Sequence, residues 1–87
     1  MRFKGTLVAV RWRDISPPEP FIPFGICDAI LVFEHVEVEE EIEEWRCATF
    51  GDGKLFLPHW DQKLVQDLEP KVGFRFQAEG CFFVRID

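Results

Sequence analysis

The chain alternates between strand-like and turn-like stretches, with one short helical interruption. Residues 2–13, RFKGTLVAVRWR, alternate roughly with period two and predict a long first strand. Thr6, Val8, Val10 and Trp12 share one face of it. Leu7 and Ala9 share the other with Arg11 and Arg13. Both faces are partly apolar, which predicts a strand that bends or is covered on both sides. Residues 14–25 hold prolines at 17, 18, 20 and 23 and predict a stiff loop, with Phe21, Ile22 and Phe24 tucked onto the domain. Its two PxxP spacings also fit an SH3-type groove. Residues 26–38 predict a second long strand, with Ile30, Val32, Val36 and Val38 on one face and Leu31, Phe33, His35 and Glu37 on the other. Residues 39–44, EEEIEE, predict a charged turn or a single helical turn.

The second half has the clearest register. Asp52-Gly53 is a strong signal for a two-residue hairpin turn, because the type I′ geometry needs positive φ. Pairing outward sets Phe50 opposite Leu55 and Ala48 opposite Leu57 on one face. Thr49 with Phe56, Cys47 with Pro58, and Trp45 with Trp60 fall on the other, forming an aromatic row. Asp61 is a suitable helix N-cap and Pro70 a stop, with Leu64, Val65 and Leu68 as the apolar stripe. For the last hairpin, a three-residue turn at Ala78-Glu79-Gly80 gathers Val72, Phe74, Phe76, Phe82, Val84 and Ile86 on one face. That register is preferred because a buried face should be uniformly apolar. It leaves Arg75, Gln77, Cys81, Phe83 and Arg85 opposite.

Hairpin, helix, hairpin behind a long first strand predicts a mostly β domain spanning residues 1–87: a five-stranded, OB-like small barrel with one short helix between strands 3 and 4. The segments GDGKLFLPHW, LEPKVGFRFQAEG and KGTLVAVRW together resemble the third-strand, fourth-strand and opening motifs of cold-shock domains. This resemblance covers roughly half the chain. It implies single-stranded nucleic-acid binding, with Phe56, His59 and Trp60 at positions matching base-stacking residues. The chain departs from the pattern at WRCATF, which lacks the family's glycines. It departs again at Pro58, which puts Phe56 and His59 three apart and on opposite faces of a regular strand unless a bulge intervenes.

Composition shifts this picture. The 87 residues carry a net charge of −6. Residues 1–13 hold four bases and no acid, residues 14–52 hold eleven acids and one base, and the remainder holds five of each. Acidic charge repels phosphate and attracts basic partners. The leading expectation is therefore a small acidic binding module for a basic protein partner, in an adaptor, inhibitor or immunity-type role. Its contact residues would be Trp45, Phe56, His59, Trp60, Arg75 and Phe83, with Glu39, Glu40 and Glu41 as an acidic rim. Homo-oligomerisation through the same aromatic face is a variant. The alternative is single-stranded nucleic-acid binding, with Trp12, Trp45, Phe56 and Trp60 as the platform and Arg11, Arg13, Arg75 and Arg85 along a groove.

No nucleophile–histidine pattern and no Gly-rich phosphate loop is present, so a non-enzyme without cofactor is expected. Cys27, Cys47 and Cys81 lack metal-knuckle spacing, so no metal is expected either. Three thiols, no apolar run near the ~20 residues of a membrane helix, and an N-terminal stretch too broken for a signal peptide predict a cytoplasmic chain with no membrane partner.

Overall fold

The computed structural model describes residues 2–15, 25–40, 49–79 and 82–86. Trp45, Glu41, Cys47, Cys81 and the proline-rich segment 16–24 lie outside the described residues. The described chain forms β1 (Arg2–Asp14), β2 (Ile26–Glu40), β3 (Thr49–Gly51), β4 (Lys54–Asp61), α1 (Gln62–Leu68), a 3₁₀ turn (Glu69–Lys71), β5 (Arg75–Glu79) and β6 (Phe82–Arg85). All pairings are antiparallel, and the strands lie in the order β3-β4-β2-β1-β5-β6.

The fold is mostly β as expected, but it is a six-stranded sheet that does not close. Each stretch expected as a strand contributes one, the two long strands and both arms of each hairpin, which makes six rather than five. The strand over 26–40 lies between β1 and β4, and the helix follows the fourth strand. β1 and β2 pair along nearly their whole lengths, whereas β4 covers only the first half of β2 and β5 only the first half of β1. The outer strands β3 and β6 therefore sit at opposite ends of a staggered sheet. Among the described residues, no helix is long and apolar enough to cross a membrane.

Bulges decide which side chains face the core. Gly5 stands opposite both His35 and Val36, since Thr6 pairs with Glu34 and Lys4 with Glu37. That insertion lets Phe33 and Val36, three apart, both pack inward. A second shift between Leu7 and Ala9 adds Val8 to β1, and Leu7 and Val10 then share the core side. The strand expected to be apolar on both faces thus switches faces midway. A third insertion sets Pro58 and His59 together opposite Asp28. His35 and His59 take positive φ, at 52° and 57°, a region in which histidine is over-represented among non-glycine residues.

The core contains Phe3, Leu7, Cys27, Ala29, Leu31, Phe33, Leu55, Leu57, Val65, Leu68, Phe76 and Ala78. Phe3 meets Phe33 edge-on at 5.1 Å and stacks on Phe50 at 4.2 Å. Helix α1 forms as expected. The Asp61 carboxylate accepts the Lys63 amide at 2.8 Å, Val65 and Leu68 face the sheet, and Pro70 sits in the 3₁₀ turn that follows. Leu64, expected in the same stripe, is half exposed.

The Asp52-Gly53 hairpin has the expected register, with Thr49 opposite Phe56 and Phe50 opposite Leu55. The last hairpin does not. Glu79 pairs with Phe82, Ala78 with Phe83 and Phe76 with Arg85, so Phe83 turns inward while Phe82 and Val84 are each 64% exposed. The Arg85 guanidinium lies 3.7 Å over the Phe74 ring, an attractive cation–π contact in a position that a uniformly apolar face would exclude.

Two measurements check this packing. Phe76→Ala should cost about 3–5 kcal/mol in urea unfolding, whereas Phe82→Ala should cost less than about 1 kcal/mol. Equal costs would contradict the register. Gly53→Ala should lose well over the ~1 kcal/mol typical of a positive-φ glycine. A Cβ there would stand 2.8 Å from the Phe33 carbonyl oxygen. A stability within error of wild type would disprove that close approach.

Candidate functional site

The face of the sheet away from α1 carries two distinct regions. At one end, register partners make a row across four strands: Thr49, Phe56, Ile30 and Arg11. Arg13 and Asp28 form the next row. Phe56, Ile30, Arg11, Arg13 and Asp28, with Trp12, line an open groove of roughly 350 Å³. Phe56 is 40% and Ile30 37% exposed. Apolar side chains of that size on a sheet face, bordered by two arginines, are suited to a partner that is flat, apolar in part and anionic in part.

The bulge at Pro58 builds this end. Proline brings no N–H to the ladder, which confines it to bulges and edges. With two residues opposite Asp28, Leu57 and Trp60 both point coreward, and His59 stays exposed. The His59 amide donates to Asp28 Oδ1 at 3.2 Å, and Asp28 Oδ2 accepts from Arg13 at 3.4 Å. Trp12 pairs with Ala29 and donates its indole N–H to Glu69 at 2.7 Å, which ties the end of β1 to the turn after α1. Trp12 remains 38% exposed at the groove.

At the other end the same face is a lattice of ion pairs. Lys4 reaches Glu39 at 3.2 Å, Arg75 reaches Glu37 at 3.5 Å, and Arg2 reaches Glu79 at 3.4 Å. Gln77 also donates to Glu39, and Arg75 to the His35 carbonyl. The bulge at His35 directs Glu37 and Glu39 to this face, where β1 and β5 supply the bases.

The sequence-derived candidates therefore separate. Phe56 lies in the groove, with His59 beside it in the bulge. Trp60 does not join Phe56; the bulge turns it inward, where it is half-buried against the core. Phe83 is likewise half-buried against the core. Arg75 and Glu39 are engaged with each other's neighbours in the ion-pair lattice. Glu40 pairs with Arg2 by register, and Trp45 and Glu41 are outside the described residues. Arg11, Arg13 and Asp28 were not all visible as one cluster from sequence, because their convergence depends on the β1–β2 register. A second groove of roughly 380 Å³ lies between α1 and β6, lined by Trp60, Leu64, Leu68, Phe82 and Phe83 with Asp67 and Lys71.

Cys27 is a thiol with no outlet. It is fully buried, and loss of water raises its pKa, with the charges of Asp28, Asp14 and Asp61 pushing the same way. A raised folded-state pKa means its stabilising share is complete below its ordinary value of 9.0 and declines as pH rises through the raised one. Iodoacetamide at neutral pH should leave Cys27 unmodified in the native protein and alkylate it in urea, as read by peptide mass spectrometry. Fast native labelling would show that β2 and β4 open at Trp60.

No protein-family model matches the chain, and neither does any curated protein or solved structure.

Proposed function

We propose that the chain is a non-catalytic binding module whose open sheet face takes a single strand of nucleic acid in the groove between Arg11, Arg13 and Phe56. One observation carries this reading: the arginines and the exposed rings of Phe56 and Trp12 line the same open groove. Single-strand binding requires that combination, a stacking ring beside a cation that tracks the phosphates. The Pro58–His59 bulge adds support. It keeps Phe56 and His59 both exposed, while turning Trp60 away.

A basic protein partner on Glu39, Glu40 and Glu41 is less favoured. Glu37 and Glu39 already meet Arg75, Lys4 and Gln77, and a partner would have to displace them. Surface pairs of this kind are weak and can be displaced, but among the described side chains Glu37 and Glu39 already have bases beside them, which lessens the charge they offer a partner.

Fluorescence anisotropy with labelled oligothymidylate and oligouridylate at low salt tests the proposal. Wild type should bind, and binding should weaken with salt. Phe56→Ala should lose about tenfold or more in affinity, the size of one base stack. Arg11→Gln should lower the salt slope by about 0.7, one phosphate contact on a single strand. Both variants should keep the wild-type melting temperature. Absence of binding by wild type would sink the reading. Capture of a basic protein lost on reversing Glu39, Glu40 and Glu41 to lysine would replace it.

A further inference from the structure

Among the described residues Asp28 is the one acid in the groove lining, and both oxygens of its carboxylate are engaged. One oxygen takes the Arg13 guanidinium at 3.4 Å and the other the backbone amide of His59 at 3.2 Å. A guanidinium and a main-chain N–H converging on two oxygens of one anion is also the donor set that holds a phosphate. The two sides of the pair are unequal. Asp28 is largely shielded, with its side chain 22% exposed, whereas that of Arg13 is 80% exposed. Asp28 is held in place by the bulge, and Arg13 is the member able to move.

We infer that Asp28 acts as a built-in anion that competes with the nucleic-acid backbone for Arg13, and so sets the affinity and salt response of the groove. This rests on the nucleic-acid reading above. A surface ion pair contributes little, so phosphate can displace the carboxylate, but each binding event must first give up that pair. Arg13 therefore adds less to binding than its position suggests, and Asp28 is a positioning residue acting through Arg13. The bulge is what makes this geometry. In a regular β4 only one residue would oppose Asp28, and the His59 amide would not reach its second oxygen.

The experiment is a double-mutant cycle on labelled oligothymidylate. Asp28→Asn removes the charge yet keeps an oxygen to accept the His59 amide. It should tighten binding several-fold and steepen the salt slope by about 0.7, the gain of one phosphate contact. In the Arg13→Gln background, the same substitution should change neither. Asp52→Asn, on the remote hairpin turn, alters net charge equally and should leave affinity nearly unchanged. A gain at Asp28→Asn that persists without Arg13 would overturn the inference in favour of general electrostatics. So would no gain while wild type binds. Failure of wild type to bind would remove the nucleic-acid reading itself. If Asp28→Asn does not fold, the Arg13 side-chain N–H resonance of wild type decides: it should shift on titrating oligothymidylate, and an unmoved resonance overturns the inference.

Discussion

The sheet depends on how closely other backbone can approach Phe33. Its ring packs edge-on against Phe3, and Gly5 lies against it where a Cβ would come within 3.2 Å of the Phe33 Cβ. From the other side the Asp52-Gly53 turn docks on its main chain. The Phe33 amide donates to the Gly53 carbonyl at 2.7 Å, and a Cβ at Gly53 would strike the Phe33 oxygen. Two glycines far apart in sequence thus clamp one phenylalanine. The clamp fixes the β1–β2 register at its middle and anchors the β3–β4 hairpin onto β2. Every row on the outer face, including that of Phe56, Ile30 and Arg11, inherits its alignment from this point.

The clamp also explains why bulges are needed. Gly5 can lie against Phe33 and Val36 only if β2 carries an extra residue opposite it, and His35 at positive φ supplies the fit. That insertion reverses parity along β2. Before it, odd-numbered residues Leu31 and Phe33 face the core; after it, Glu37 and Glu39 face outward to Lys4 and Arg75. The insertion at Pro58 and His59 does the same for β4. Bulges increase local twist as well as switching faces, and β3 and β6 remain the two edges of the sheet.

What could be read in the sequence was what depends on local chemistry. The Asp52-Gly53 turn, the register of Thr49 and Phe50, the Asp61 cap and the Pro70 stop all follow from neighbours a few residues away. The bulges do not, because the reason for each lies on another strand: Gly5 explains His35, and Asp28 explains His59. Period-two alternation breaks past each one, so it sets Trp60 beside Phe56 whereas the Pro58–His59 bulge turns Trp60 to the core. The last hairpin failed differently. Demanding one uniformly apolar face put Phe82 and Val84 inside, yet β6 is a four-residue strand at the end of the sheet, with little core to share. There Ala78 opposite Phe83, and Arg85 over Phe74, satisfy packing with fewer apolar contacts. The candidate site was legible as a set of residue types, Phe56 with arginines, but not as a place.

The net charge of −6 is a sum over the whole chain, whereas a groove responds to the charges near it. Charge acts through distance, and the strands give a ruler. Glu37 is seven residues beyond Ile30 along β2, about 20 Å at ~3.3 Å per residue less one bulge. The Debye length is ~8 Å at physiological ionic strength, so a charge at that range is heavily screened from the groove. The Glu37 and Glu39 charges are further offset by Arg75 and Lys4 close by. The charged side chains that line the groove itself are Arg11, Arg13 and Asp28. A chain can therefore be acidic as a whole and still present a cationic groove. Within the groove lining, the Asp28 carboxylate lies against the Arg13 guanidinium and offsets its charge, so under the proposed reading this local pair weighs more on a ligand than the distant glutamates do.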